Sequence, residues 1–282
     1  MKATAPPRRP TIPLEVLPPP SSTMTWVLEA IGRPRLSAGD IAELIETDAV
    51  VAAELLRAAN CAYYGVASTV TSVQKAVVLL GARRALSLAV GVAALANMTR
   101  VRFPPGFDHE GLWGHLRGAA LAARWLVEPV HPESADTAYM AALLHDVGKA
   151  LMAAAFTSDW QRIRQATKES PVSFAQAEAA LGTPSHAGLG STLLEHWQLP
   201  EQICRLVRRH HEPVQPGDPD AELAAALRRA DALARLAGVG NPGDRAGASL
   251  EAVDPAGNSD AVRQTVERLR QASPPLLGIT QR

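Results

Sequence analysis

Two side chains of metal-ligand type, His145 and Asp146, interrupt the apolar run Ala142-Leu143-Leu144-His145-Asp146-Val147-Gly148-Lys149. Burying a polar group without a partner costs about 2–7 kcal/mol, and an unpaired charge costs more. Any fold of this chain must therefore bring compensating groups to this pair. Taken alone, the pair fits either a metal ion or an ordinary buried His/Asp couple satisfied by backbone and an arginine.

The chain has 282 residues, 47% of them hydrophobic, enough for the core of one large domain or two small ones. Only 4% are aromatic, and alanine and leucine fill long windows, which predicts an all-α fold. With 28 basic and 28 acidic residues the formal charge is zero, so no nucleic-acid partner is expected and no attraction to an anionic membrane. The longest apolar run, Ala85 to Ala96, is shorter than the roughly 20 residues that cross a bilayer, so no membrane span is expected. Cys61 and Cys204 fit no metal spacing and read as two reduced, packed thiols, as suits a cytoplasmic protein.

Seven of the 22 prolines fall within residues 1–20, which read as an extended, polyproline-like lead. Helices are expected from about Thr23 to Gly32, after Ser37, from Asp48 to near Asn60, from Thr71 to Leu80, and from Ala82 to Met98. A second half starts after Phe103-Pro104-Pro105-Gly106, with helices at about 110–128, 134–146, 158–168, 172–181, 185–197, 200–211 and 219–237. Beyond Gly238, Asn241-Pro242-Gly243-Asp244 reads as a flexible linker, followed by a short C-terminal helix from about Ser259 to Gln271.

Five of the eight histidines, His115, His145, His186, His210 and His211, occupy expected helix positions from which they can converge on Asp146. Asp231, in Ala230-Asp231-Ala232-Leu233, is a late acid expected to point inward. Mixed imidazole and carboxylate ligands suit a divalent ion of zinc, iron, manganese or nickel. The other three, His109, His131 and His196, read as surface or packing residues, and Trp113, Trp125 and Trp197 as core.

The ordered series His115, His145-Asp146, His186, His210-His211, Asp231 resembles the HD superfamily. Ile45-Glu46-Thr47-Asp48-Ala49, Leu55 to Gly65, Val70-Thr71-Ser72-Val73-Gln74-Lys75-Ala76-Val77, Leu79-Leu80-Gly81 and Trp197-Gln198-Leu199-Pro200 narrow the likeness to the HDOD subfamily. It covers residues 14–237, with an N-terminal helical bundle at about 21–100 and an HD-like helical core at about 108–237.

The resemblance implies a cytoplasmic bacterial signalling or regulatory module acting through a protein partner or small-molecule effector. It also implies a metal site for one or two divalent ions. The first would lie on His115, His145, Asp146 and Asp231, the second on His186, His210 and His211 with Asp146 bridging. Because this ligand set is complete, it implies as an alternative a metal-dependent phosphohydrolase acting on a nucleotide or other phosphate ester. Asp146 would then be catalytic and Lys149 would contact a substrate phosphate if the helix through His145 continues. After His210-His211-Glu212 the chain reads Pro213-Val214, so the Gly-Tyr-Pro signature of the related cyclic di-GMP phosphodiesterases is absent. Glu212 is expected either to orient a histidine or to face solvent.

Overall fold

The computed structural model describes residues 17–31, 36–60, 69–98, 100–215, 217–244, 246, 248, 253 and 259–272. The regular elements among them are helical. Helices α1 (Ser22–Ile31), α2 (Ala38–Glu46), α3 (Ala49–Ala59), α4 (Val73–Leu80) and α5 (Ala82–Met98) form the N-terminal bundle. The caps expected from sequence set their starts: Ser37 and Asp40 form a capping box at α2, Asp48 accepts from Val50 and Val51 at α3, and Ser72 caps α4. Helix α5 is buried on nearly every side, as its apolar composition predicts. Tyr63-Tyr64-Gly65 and Cys61 lie outside the described residues.

The second half comprises α6 (His109–Val127), α7 (Ala135–Leu144), α8 (Val147–Ala155), α9 (Thr157–Glu169), α10 (Phe174–Leu181), α11 (His186–His196), α12 (Glu201–Arg209) and α13 (Ala221–Ala237), with α14 (Ser259–Ala272) following. Helix α6 packs against both α7 and α13, and α8 against α11. Alanine is the commonest residue on the buried faces of α6 and α7, with Gly118 beside it on α6, so these helices approach closely. Pro18 and Pro19 join the two halves: the Pro18 carbonyl accepts from Trp197 Nε1 at 2.7 Å and that of Pro19 from Asn97 Nδ2 at 2.7 Å.

The sequence reading ran one helix through His145 and Asp146, but the structure breaks there. Helix α7 stops at Leu144, Asp146 adopts φ −104° and ψ 9°, and α8, absent from the sequence reading, starts at Val147. Consecutive side chains on a continuous helix diverge by about 100°, so an unbroken helix cannot aim two neighbours at one point. The break turns Asp146 toward the same space as His145.

Gly148 then fixes where α8 crosses α11. A Cβ at Gly148 would lie 1.9 Å from the His186 carbonyl oxygen and 2.5 Å from the Gly190 amide nitrogen, both backbone atoms of α11. No side-chain rearrangement can relieve that contact. Gly148→Ala is therefore expected to destabilise the fold by roughly 2–3 kcal/mol, at the upper end for overpacking, as read by urea denaturation. The same variant should hold metal more weakly, because His186 sits at the displaced crossing.

Candidate metal centre

The ligand-type side chains come from five places in the chain. His115 lies on α6, His145 and Asp146 in the α7–α8 break, His186 at the start of α11, His210 and His211 just past α12, and Asp231 on α13. Ser185 caps α11 by accepting from the Gly188 amide, which sets His186 in the first turn. Helix α12 was expected to run to residue 211. It ends at Arg209, and the turn that follows buries His210 and leaves His211 at the exposed edge with its Nε2 3.0 Å from that of His186.

Two clusters share the Asp146 carboxylate. His115, His145 and Asp146 form one, and Asp146, His186, His210 and His211 the other, with the candidate ligand atoms of each within 4.8 Å of one another. On the first side His115 Nε2 lies 2.9 Å from Asp231 Oδ1 and 3.9 Å from Asp146 Oδ2, and His145 Nε2 lies 3.3 Å from Asp146 Oδ2. On the second, Asp146 Oδ1 is 3.0 Å from His186 Nε2 and 3.5 Å from His210 Nε2. The structure thus brings together His115, His145, Asp146, His186, His210 and His211, with Asp231 at the edge of the first cluster.

The rings are held so that Nε2 faces the centre. His145 Nδ1 donates to the Ala142 carbonyl at 2.7 Å and His210 Nδ1 to the Val207 carbonyl at 2.6 Å. A carbonyl only accepts, so the proton sits on Nδ1 and the Nε2 lone pair is free. His115 Nε2, His145 Nε2 and Asp146 Oδ1 are buried yet make no properly directed hydrogen bond. Buried polar atoms that converge without bonding one another are what a cation-binding site requires, and the donor set suits a borderline transition metal.

His186 depends on a residue the sequence reading missed. Glu178 on α10 is buried; its Oε1 accepts from the His186 amide at 2.6 Å, and both oxygens lie 2.9 Å from His186 Nδ1. Only its apolar setting, Ala177-Glu178-Ala179-Ala180, hinted at burial. Glu212, weighed as an orienting acceptor, instead sits exposed beside Arg209 at 3.3 Å.

Lys149 is on α8, not on a continuation of α7. Its ammonium, 2% exposed, donates to Asp146 Oδ2 at 2.6 Å and to the Pro242 carbonyl at 2.9 Å. The segment holding Pro242, read from sequence as linker, lies along the glycine face of α6. Gly240 has φ +69°, and a Cβ there would come within 2.1 Å of the His115 amide nitrogen. Asn241 donates to the Gly111 carbonyl at 2.7 Å, and Asp244 accepts from Arg235 at 2.7 Å and from the Phe174 amide at 3.0 Å.

Burial opposes the charge of Asp146, but His145 and Lys149 outweigh it and hold the carboxyl well below its usual range. Burial likewise opposes His186, but Glu178 and Asp146 raise it to about 9. Burial pushes His210 down to about 4 and, with the neighbouring histidines, His211 lower still. The Nε2 atoms of His211 and His210 face that of His186 at 3.0 and 3.3 Å.

Fold and site together define an all-helical, HD-type bundle around a His/Asp centre. The HDOD domain family matches residues 17–213, and the chain belongs to that family. An HDOD domain protein of unknown function from Geobacter sulfurreducens superposes with a TM-score of 0.72 at 25% identity, covering 92% of this chain and 85% of that one. A candidate signal transduction protein from Marinobacter aquaeolei VT8 gives a TM-score of 0.67 at 24% identity, over 91% of this chain and 58% of that one. A candidate metal-dependent phosphohydrolase from Shewanella amazonensis SB2B gives 0.61 at 21%, over 92% of each chain. An uncharacterized protein of Treponema pallidum (strain Nichols) is 24% identical over 200 residues, so the chain spans 38% of that relative's length. Among the described residues no single helix is long and apolar enough to cross a membrane.

The raised His186 has a pH consequence. Its folded value exceeds the ordinary 6.5, so its protonation stabilises the metal-free fold fully below pH 6.5, and that contribution is lost as the pH rises through about 9. A cation at the second cluster must displace the same proton. Uptake should strengthen with pH across this window and release protons, as measured by calorimetry at pH 7.5 in buffers of different ionisation enthalpy. Glu178→Gln removes the charge that orients His186 and should weaken uptake at that cluster by about 10–100-fold in metal titrations.

Proposed function

We propose that this protein is a cytoplasmic signal-transduction module that holds one or two divalent cations and responds through a protein partner or a small-molecule effector. The single observation that carries this reading is closure around the shared Asp146 carboxylate. His115, Asp146 and His186 are each 0% exposed, and Lys149 occupies Asp146 Oδ2 while bonded to the Pro242 segment. Catalytic metal sites keep a coordination position open to water or substrate, whereas closed ligand sets serve structural or sensory ions. HDOD membership supports the same reading, and a protein of this fold bears the name of a candidate signal transduction protein.

Here His115, His145, Asp146 and Asp231 would hold a first ion, and His186, His210 and His211 would hold a second with Asp146 shared. Iron, manganese, zinc and nickel all suit these donors. Filling the clusters would neutralise the facing lone pairs and fasten α6, α7, α11, α12 and α13 to one another. Partner and effector contacts on the outer helices would then be coupled to the centre through the packing of those five elements.

One observation favours a second reading, metal-dependent phosphohydrolysis: His211 is exposed, so the second cluster has an open edge beside the shared carboxylate of Asp146. Two cations there would lower the pKa of a bound water and steady charge on phosphoryl oxygens. Asp146 would then serve catalysis, and Lys149 would have to leave Asp146 Oδ2 to meet a phosphate.

Elemental analysis of protein purified without added metal, paired with turnover of bis-p-nitrophenyl phosphate, separates the readings. The expected result is bound transition metal in the native chain, loss of most of it in Asp146→Ala, and no turnover by either. Turnover that Asp146→Ala abolishes would replace the signalling reading with the phosphohydrolase one. Native protein without metal would remove the cation from both.

A further inference from the structure

Beside the metal centre, on the far side of Lys149, a cleft of about 270 Å³ opens between the start of α6, helix α9, the start of α10 and the 241–244 segment. Its walls carry Phe107, Trp160 and Phe174, and its cations are Lys149, Arg164 and Lys168. Neither Arg164 nor Lys168 makes an ion pair among the described residues. The Arg164 guanidinium lies over the Trp160 ring at 5.3 Å. Lys149 is buried; among the described residues Asp146 Oδ2 and the Pro242 carbonyl accept two of its three protons, and its ammonium lies over the Phe174 ring at 5.1 Å.

Both carboxylates lining the cleft are hydrogen-bonded, and of the two only Asp244 is ion-paired among the described residues. Asp108 caps α6 through the Gly111 amide at 2.8 Å and accepts from Asn241 Nδ2 at 3.0 Å. Asp244 accepts from Arg235 and from the Phe174 amide. With Lys149 paired to Asp146 and Asp244 to Arg235, the described residues leave Arg164 and Lys168 against the single charge of Asp108, a net positive lining beside Phe107, Trp160 and Phe174. Arg164 and Lys168, the two lining cations without an ion pair among the described residues, match a dianion better than a monoanion, and Arg in particular binds phosphate through two parallel hydrogen bonds. Ligand pockets for drug-sized molecules run from about 300 to 1,000 Å³, so this slightly smaller cleft suits a single ring with one charged group.

We propose that this cleft binds a small organic phosphate, its phosphate held by Arg164 and Lys168 with Lys149 at the floor, and its flat apolar body against Trp160 and Phe107. The inference rests on the signalling reading, for which it supplies the effector's chemistry. Lys149 couples the two sites directly: a phosphate that takes its third proton draws on the ammonium that also holds Asp146 Oδ2. Occupancy of the cleft thereby reaches a shared ligand of the metal centre.

The test uses the full chain as purified, with phenyl phosphate as probe and inorganic phosphate, benzoate and phenol as comparison compounds. Binding is followed by calorimetry and by tryptophan fluorescence, and metal content is measured on every sample. Phenyl phosphate should bind more tightly than each comparison compound. Arg164→Gln and Lys168→Gln should each weaken it about tenfold while metal content stays at the native level. Trp160→Phe should remove most of the fluorescence response while binding persists. The proposal is overturned if phenyl phosphate fails to bind, if benzoate binds equally well, or if both charge variants bind it like the native chain. It is also overturned if stripping the metal abolishes binding that the two variants leave intact, since the probe would then sit on the metal. Binding by a metal-free native chain would support the cleft while ending the metal reading, so the two fail separately.

Discussion

The Asp146 carboxylate is the constraint on which the rest of the structure depends. It is a fully buried charge, and each of its oxygens faces a different set of imidazoles while Lys149 holds one of them. A buried carboxylate with one partner removed is a heavy liability, typically about 3–5 kcal/mol. The fold answers by converging five helical elements on it. That convergence explains features that are otherwise unconnected: the break between α7 and α8, the glycine crossing of α8 over α11, and the turns after α12. Each re-aims a side chain that a regular helix would point elsewhere.

The supporting groups matter as much as the ligand atoms. Backbone carbonyls of Ala142 and Val207 fix the tautomers of His145 and His210, and Glu178 does the corresponding work for His186 with a charge in place of a dipole. The two solutions have different electrical consequences. A carbonyl brings only a dipole to the ring, whereas the Glu178 charge favours the protonated form of His186. The segment 239–244 closes the remaining side, linking α6, α8, α10 and α13 through backbone groups and Asp244.

Much of this was legible in the residues. The helix starts at α2, α3 and α4 followed from Ser37, Asp48 and Ser72, because capping is a local interaction between neighbours in sequence. The candidate ligands were recognisable because polar groups stood in apolar helical surroundings, and their order matched a known pattern. Where the reading departed from the structure, the cause was non-local. The stretch from Ala135 through Ala155 has continuous helical composition, and nothing within it signals that Asp146 must leave the helix to share a point with His145. Glu178 lies eight residues before His186 on a different helix, so only the turn between α10 and α11 brings them together. Glu212 shows the reverse, being adjacent to the histidine pair in sequence and turned outward in space.

By itself the sequence determined that the chain is helical, that it carries the HDOD pattern, and which imidazoles and carboxylates are available to a cation. These properties depend on residue type and short-range spacing, which a linear chain displays in full. Only the tertiary structure decided that the candidate ligands form two clusters joined at Asp146, that Lys149 spends its charge inward, and that a cleft lined by Arg164, Lys168 and aromatic rings adjoins the centre. Those depend on directions and distances between elements far apart in the chain. Such geometry is set by backbone breaks and close glycine crossings, which only packing brings into being.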